Sequence, residues 1–395
     1  MRLVQIVPCL PPVIEGVGGY AAVLGKELAK GGLTSSFIVG DPGWPGELAV
    51  PADLAGAAAA LTARSTAALV EQLEDTGAAV VLLHYVNYGY ASRGCPRWLV
   101  EGVARWRTGG TEKRRLVTYF HEVYASGPPW HSSFWTHPVQ RRLAKRLLRQ
   151  SDGAGTSLAL YAGILARWRP SPRVEATPVF STVGEPATVP PPGERRRAMV
   201  VFGGAGNRRR AYRELGQELV AACHGLGIEE IVDLGPRLAE VPDRLASLPV
   251  RQRGVLPPTA ASEVLLRSYA GFLGYPPPFL AKSTVYAAYC AHGLVPVCAW
   301  PRRRREDMGE PPPFWDPASQ PPPSDATGLA VRARAWYGDH DLALQALRFQ
   351  ALLAGVAGVA GVAGVAGESA PILSATGRPH LAAPLPAAGR TPPPA

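Results

Sequence analysis

The chain has 395 residues, 47% of them hydrophobic and 18% charged, with a formal net charge of +10 at pH 7. That is enough apolar sequence for two buried cores, which excludes a wholly disordered chain, and no Gly-X-Y period runs through the body of the chain despite its 43 Gly and 41 Pro, which excludes collagen. Of the 41 basic residues 36 are Arg, clustered locally at 195–197, 208–210 and 302–305 and never interleaved with aromatics over a long stretch, so the charge fits a small phosphorylated ligand better than nucleic acid.

Residues 1–14 are apolar but hold three prolines and no small-residue cleavage site, so they read as a first strand (3–7) and its loop rather than a signal peptide. Runs rich in Val, Ile, Leu and aromatics recur at 36–39, 79–83 and 116–120, with a weaker one near 152–157; such runs suit strands buried on both faces. Helical patterns fall between them. Segment 20–30 sets Leu24 and Leu28 on one face, 62–75 carries Leu69 and Leu73 four apart, and 138–149 is basic and amphipathic. Alternating strand and helix predicts a parallel sheet with right-handed crossovers. A proline-rich stretch then intervenes, and the pattern restarts with strands at 198–202, 230–234, 250–253, 269–275 and 295–299 and helices at 208–222, 260–267 and 282–291. A last helix is expected at 342–353, amphipathic through Leu344, Leu347 and Leu352. Beyond it, Ala-Gly-Val triplets match neither the helix nor the strand period and are only modestly apolar, which predicts a disordered tail rather than a membrane span. The expected division is a first domain at 1–181, a linker at 182–197, a second domain at 198–353 and a tail at 354–395.

The five cysteines are widely spaced and form no Cys-x-x-Cys pair, so neither a zinc site nor a disulfide framework is expected, and a reducing cytosol suits them. Open parallel sheets bind ligands beyond the carboxyl ends of their strands. After the first strand, Gly18 and Gly19 open a helix and let backbone approach a ligand, although the strict Gly-x-Gly-x-x-Gly dinucleotide pattern is not met. The fourth strand ends in His121-Glu122, placed to orient a substrate hydroxyl or share a proton; His84 ends the third strand in the same way. In the second half, Gly203-Gly204-Ala205-Gly206-Asn207 leads into Arg208, Arg209 and Arg210, and the Lys282-Ser283-Thr284 turn opens another helix. Cations at helix N-termini oppose the macrodipole, and a bound diphosphate removes the conflict. Asp339-His340-Asp341 follows no strand and reads as an N-cap rather than a metal site. No Gly-x-Ser-x-Gly elbow, Walker loop or His-Glu-x-x-His motif occurs.

Taken with Ala291-His292-Gly293-Leu294-Val295-Pro296-Val297, which matches a helix–Gly–x–Pro–Val ending, the Gly18-Gly19 loop and the His121-Glu122 segment resemble those of GT-B glycosyltransferases, nearest to retaining glycosyltransferase family 4, over roughly residues 1–300. The resemblance implies an α/β fold of two Rossmann-like domains facing across a cleft. It implies a metal-independent transfer from a nucleotide-diphosphate sugar, with no cofactor, to a glycan or lipid-linked acceptor. Arg208 or Arg210 and the Lys282–Thr284 turn would then meet the diphosphate, and His121, with Gly18 and Gly19, the transferred sugar. The family's Glu-x7-Glu is missing, since Leu280 and Ala288 stand at those positions. Three alternatives stay open: binding of nucleotide or glycan without transfer, nucleotide-sugar epimerisation, and nucleic-acid binding. A cytoplasmic location is expected, with peripheral membrane contact at the inner face through the basic helix.

Overall fold

The computed structural model describes residues 2–13, 16–46, 57–110, 113–171, 174–301 and 311–355. Strands β1 (Arg2–Val7), β2 (Thr34–Val39), β3 (Ala58–Ala60), β4 (Val80–Tyr85), β5 (Arg115–Phe120), β6 (Gly153–Thr156) and β7 (Glu175–Ala176) form a sheet in the order β3-β2-β1-β4-β5-β6-β7, parallel throughout. Strands β8 (Arg196–Phe202), β9 (Glu230–Leu234), β10 (Arg244–Leu245), β11 (Leu248–Gln252), β12 (Ser268–Gly274) and β13 (Val295–Ala299) form a second, β10-β11-β9-β8-β12-β13, parallel except at β10–β11. The central strands carry apolar residues on both faces because helices cover both, as in β4 and β12, where every residue is buried.

Helices α1 (Gly16–Lys30), α2 (Thr66–Thr76), α3 (Asn87–Tyr90), α4 (Arg97–Thr108), α5 (Ser132–Gln150) and α6 (Ala159–Trp168) serve the first sheet. Helices α7 (Ala205–Arg213), α8 (Gly216–Gly225), α9 (Pro258–Arg267), α10 (Thr284–Ala291) and α11 (Ala326–Gly338) serve the second, and α12 (Leu342–Ala354) follows. In each sheet the strand order reverses once, between β1 and β4 and between β8 and β12, and ligand crevices of doubly wound sheets open at such points.

The single helix expected at 208–222 is two, α7 and α8. They part before Gly216, where Leu215 leaves helical dihedrals (φ −125°, ψ 24°). The expected second domain, 198–353, also placed α12 with the second sheet, whereas α12 packs on α1 and β6 of the first. Its buried face is Gln345, Ala346, Phe349 and Leu353 rather than the leucine stripe read from sequence; Leu347 is 52% exposed. One buried cluster joins the lobes, running from Leu3, Tyr20 and Leu24 to Val200, Tyr275 and Leu280 and taking in Phe349. The Arg302–Arg305 cluster and the expected tail from residue 356 on lie outside the described residues.

Candidate active site

The carboxyl end of β5 delivers His121 and Glu122, whose backbone N–H groups both donate to Tyr85 O, at 2.9 and 3.3 Å, at the end of β4. Behind His121 lies a buried polar chain. Gln5 Nε2 donates to Ser35 Oγ at 2.8 Å, and this amide orientation assigns Gln5 Oε1 as the acceptor from His84 Nε2–H at 2.8 Å. His84 Nδ1 then accepts from His121 Nε2–H at 3.1 Å, which leaves His121 Nδ1 with a free lone pair. Burial holds both rings neutral. It lowers His84 to about 3, and it lowers His121 well below its ordinary value, with His84 and the Lys282 ammonium adding to the effect. Tyr20 and Tyr119 stand edge-on to the His121 ring at 5.3 and 4.9 Å and fix its plane.

From the second lobe, the turn after β12 brings Lys282 to this edge. Its Nζ lies 3.5 Å from Glu122 Oε1 and 5.8 Å from the ring centres of both Tyr161 and Phe279. Burial alone would lower the Lys282 ammonium, but Tyr161, Tyr275 and Glu122 outweigh it and raise the pKa above the ordinary lysine value, so the cation persists. The carboxyl edges of the two sheets thus meet in one charged contact. Ser283 caps α10 by accepting from Tyr286 N–H at 3.2 Å, a structural role, while the half-buried Thr284 stands in the helix's first turn.

The expected donor residues divide. Arg208 is fully buried and held by Asp233 through Nε and Nη2, with Nη1 donating to Pro236 O at 2.5 Å. A guanidinium enclosed and satisfied in this way does not reach a ligand, so the structure corrects the donor role expected of Arg208. Arg210 lies at the end of β12, with Nη1 donating to Gly274 O at 3.3 Å and its guanidinium 4.7 Å from the Trp300 ring centre. Burial raises the Tyr275 hydroxyl above its ordinary value, and Lys282 and, more weakly, Arg210 oppose the rise, so both cations are within its electrostatic reach.

The two glycines of α1 also differ. A Cβ at Gly18 would fall 2.1 Å from Cys9 O, so Gly18 answers a packing demand, whereas a Cβ at Gly19 would meet nothing within 4 Å. Gly204 and Gly206 at the start of α7 face open space in the same way, and Gly203 (φ 126°) turns the chain there, its notional Cβ 3.2 Å from Val285 Cγ2 of α10. The N-termini of α7 and α10 are therefore neighbours, and two positive helix ends side by side suit an anion. Ala288 is fully buried in α10, so no carboxylate projects from the position where the resembled family has its second Glu. Asp341 caps α12 by accepting from Leu344 N–H at 2.9 Å. Sequence reading missed Gln5; its one signal was a lone polar residue inside an apolar strand.

No protein-family model matches this chain, and no curated protein sequence matches it. Solved structures do match. Alr3699/HepE of Anabaena, in complex with UDP, aligns at 12% identity over 90% of this chain and 100% of that one, with a TM-score of 0.59. WaaG, a glycosyltransferase involved in lipopolysaccharide biosynthesis, aligns at 11% identity over 89% and 100%, with a TM-score of 0.52. The spinosyn forosaminyltransferase SpnP aligns at 13% identity over 90% and 99%, with a TM-score of 0.50. At such identities the likeness concerns the fold, which is the two-domain GT-B arrangement of glycosyltransferases.

Proposed function

We propose that this chain transfers a sugar from a nucleotide-diphosphate donor to a glycan or lipid-linked acceptor, by the retaining, metal-independent route that its resemblance to glycosyltransferase family 4 implies. The observation that carries the reading is the Lys282–Glu122 contact, which sets a persistent cation of the second lobe against the His121–Glu122 edge of the first. In this reading the diphosphate lies across the N-termini of α7 and α10, met by helix N–H groups, Arg210 and Lys282, and Lys282 exchanges Glu122 for phosphate oxygen. His121 accepts a hydroxyl hydrogen of the transferred sugar at Nδ1, and Gly19 leaves room for the sugar ring. As the glycosidic bond breaks, charge grows on the leaving diphosphate, and cations already in place favour that state over the ground state.

UDP is the first nucleotide to try, because it is the ligand bound in HepE. Titration calorimetry is expected to show the parent binding UDP or GDP, and Lys282→Ala weakening that binding by roughly 10- to 100-fold, the loss of one charge-assisted contact. No heat with either nucleotide would sink the reading, and equal affinity in the variant would remove Lys282 from it. The buried Ala288 favours one second reading, a protein that binds the donor without transferring it. Sugar release, followed by NMR of the product anomer, separates the two.

A further inference from the structure

We infer that α5 and the loop before it form a docking face for an anionic lipid bilayer. The observation is independent of any donor chemistry. Trp130 is 82% exposed and Trp135 71%, with Phe134 beside them at 40%, and among the described residues few other large apolar side chains stand in water. From these rings α5 continues with five basic and no acidic residues. Arg141, Arg142, Arg146 and Arg149 are exposed, and Trp135, Arg142, Arg146 and Arg149 recur at helical spacing along one stripe, about 21 Å from end to end.

The rings are built to leave water. Trp135 donates its indole N–H to Pro129 O at 3.0 Å, so its polar atom is satisfied within the protein, and Phe134 packs edge-on to it at 5.3 Å. What Trp135 and Phe134 turn outward is hydrocarbon whose transfer into lipid leaves no side-chain hydrogen bond unmade, while the more exposed Trp130 keeps an indole N–H for the headgroup level. The arrangement also selects the partner. A nucleic-acid strand needs rings alternating with cations so that bases stack while phosphates pair. Here the rings gather at one end and the cations follow, which suits a wedge in the acyl boundary and guanidinium groups along the headgroup phosphates. Among the described residues no helix is long and apolar enough to cross a membrane, so contact at this face would be interfacial.

The face also adjoins the site. The first turns of α5 are tied to the segment that follows Glu122, through a 2.9 Å contact of His137 Nδ1 with Ala125 O and a 2.8 Å bond from Ala125 N–H to Gln140 Oε1. A bilayer on this face would lie beside the rim of the His121–Glu122 edge.

Vesicle flotation of the full chain tests the inference. The parent is expected to float with phosphatidylcholine vesicles containing about one third phosphatidylglycerol, to be released by added salt, and to stay behind with phosphatidylcholine alone. Trp130→Ser/Trp135→Ser is expected to cut binding several-fold at fixed salt. Arg142→Glu/Arg149→Glu should abolish it, and Arg142→Lys/Arg149→Lys should restore it, because the charge alone is read. All the altered side chains are exposed, so melting temperatures should match the parent's and show that each variant is folded. Equal flotation with neutral vesicles, or variants that float like the parent, would overturn the inference. So would an oligonucleotide that binds more tightly than vesicles and is released by the same substitutions.

Discussion

Because Gln5 gives its amide N–H to Ser35, its oxygen faces His84, and the two imidazoles are held in one tautomer with His121 Nδ1 unprotonated. If that lone pair takes a substrate hydroxyl, Gln5 governs the reaction without touching the substrate. Gln5→Glu tests this. A buried carboxylate draws a proton onto His84, whose Nδ1–H would then face His121 Nε2 and drive the His121 proton onto Nδ1. The variant is expected to lose turnover by roughly tenfold or more at low pH and to regain it as pH rises through the new Glu–His couple. The parent should show no such step from this pair near neutrality, since burial keeps His84 at about 3 and His121 well below its ordinary value. Matching kcat–pH profiles for parent and variant would refute the relay. At this scale the sequence conveyed placement: the strand end with His121 and Glu122 and the turn with Lys282 lie together in the fold. It misled at Arg208, because Asp233 sits 25 residues away in sequence and nothing local announces that it takes the guanidinium.

Helix α12 shows what periodicity conveys and what it omits. Its bounds follow from Asp341 as N-cap and Gly355 at φ 78° as C-cap, both visible in the sequence. Its partner does not follow, because a run of leucines reports helicity but not which sheet the helix will cover. The fixing contacts are long-range: Tyr20 O–H donates to Gln345 Oε1 at 2.8 Å, Gln345 Nε2 donates to Pro178 O at 2.5 Å, and Phe349 lies 5.1 Å from Tyr119. Gln345→Leu strands the buried Tyr20 hydroxyl and is expected to destabilise the protein by about 1–3 kcal/mol. The melting temperature followed by circular dichroism should fall by several degrees, at roughly 2–4 °C per kcal/mol, while the nucleotide affinity proposed for the α7 and α10 ends should not change. A variant that melts with the parent would show that α12 does not clamp the first lobe.

For the molecule as a whole, alternation of strand and helix was enough to foresee two parallel sheets, since βαβ units wind in one hand and close no other way. Closing the two cores also encloses titratable side chains, and folding carries the electrostatic cost of doing so. Four imidazoles are buried, His84, His121, His292 and His340, and three of them make that cost measurable. Burial lowers His84 to about 3, His292 to about 4 and His340 to about 3, and in the unfolded chain each returns to about 6.5. Between those values the unfolded state binds more protons than the folded one. Stability is therefore full above about pH 6.5 and is lost as pH falls toward 4, by at most about 1.4 kcal/mol per pH unit for each ring. Melting temperature is expected to hold between about pH 7 and 8 and to drop steadily below 6.5, ahead of most carboxylate protonation. His340 offers the cleanest control, because its buried Nε2 has no hydrogen-bond partner among the described residues and its ring packs on Trp336 and Tyr337. His340→Phe removes both the orphan atom and one titrating group, so it should fold and show a shallower acid slope. A melting temperature flat from pH 7 to 5 in the parent would mean that these imidazoles are protonated in the folded protein, and the neutral His84–His121 relay would fall with them.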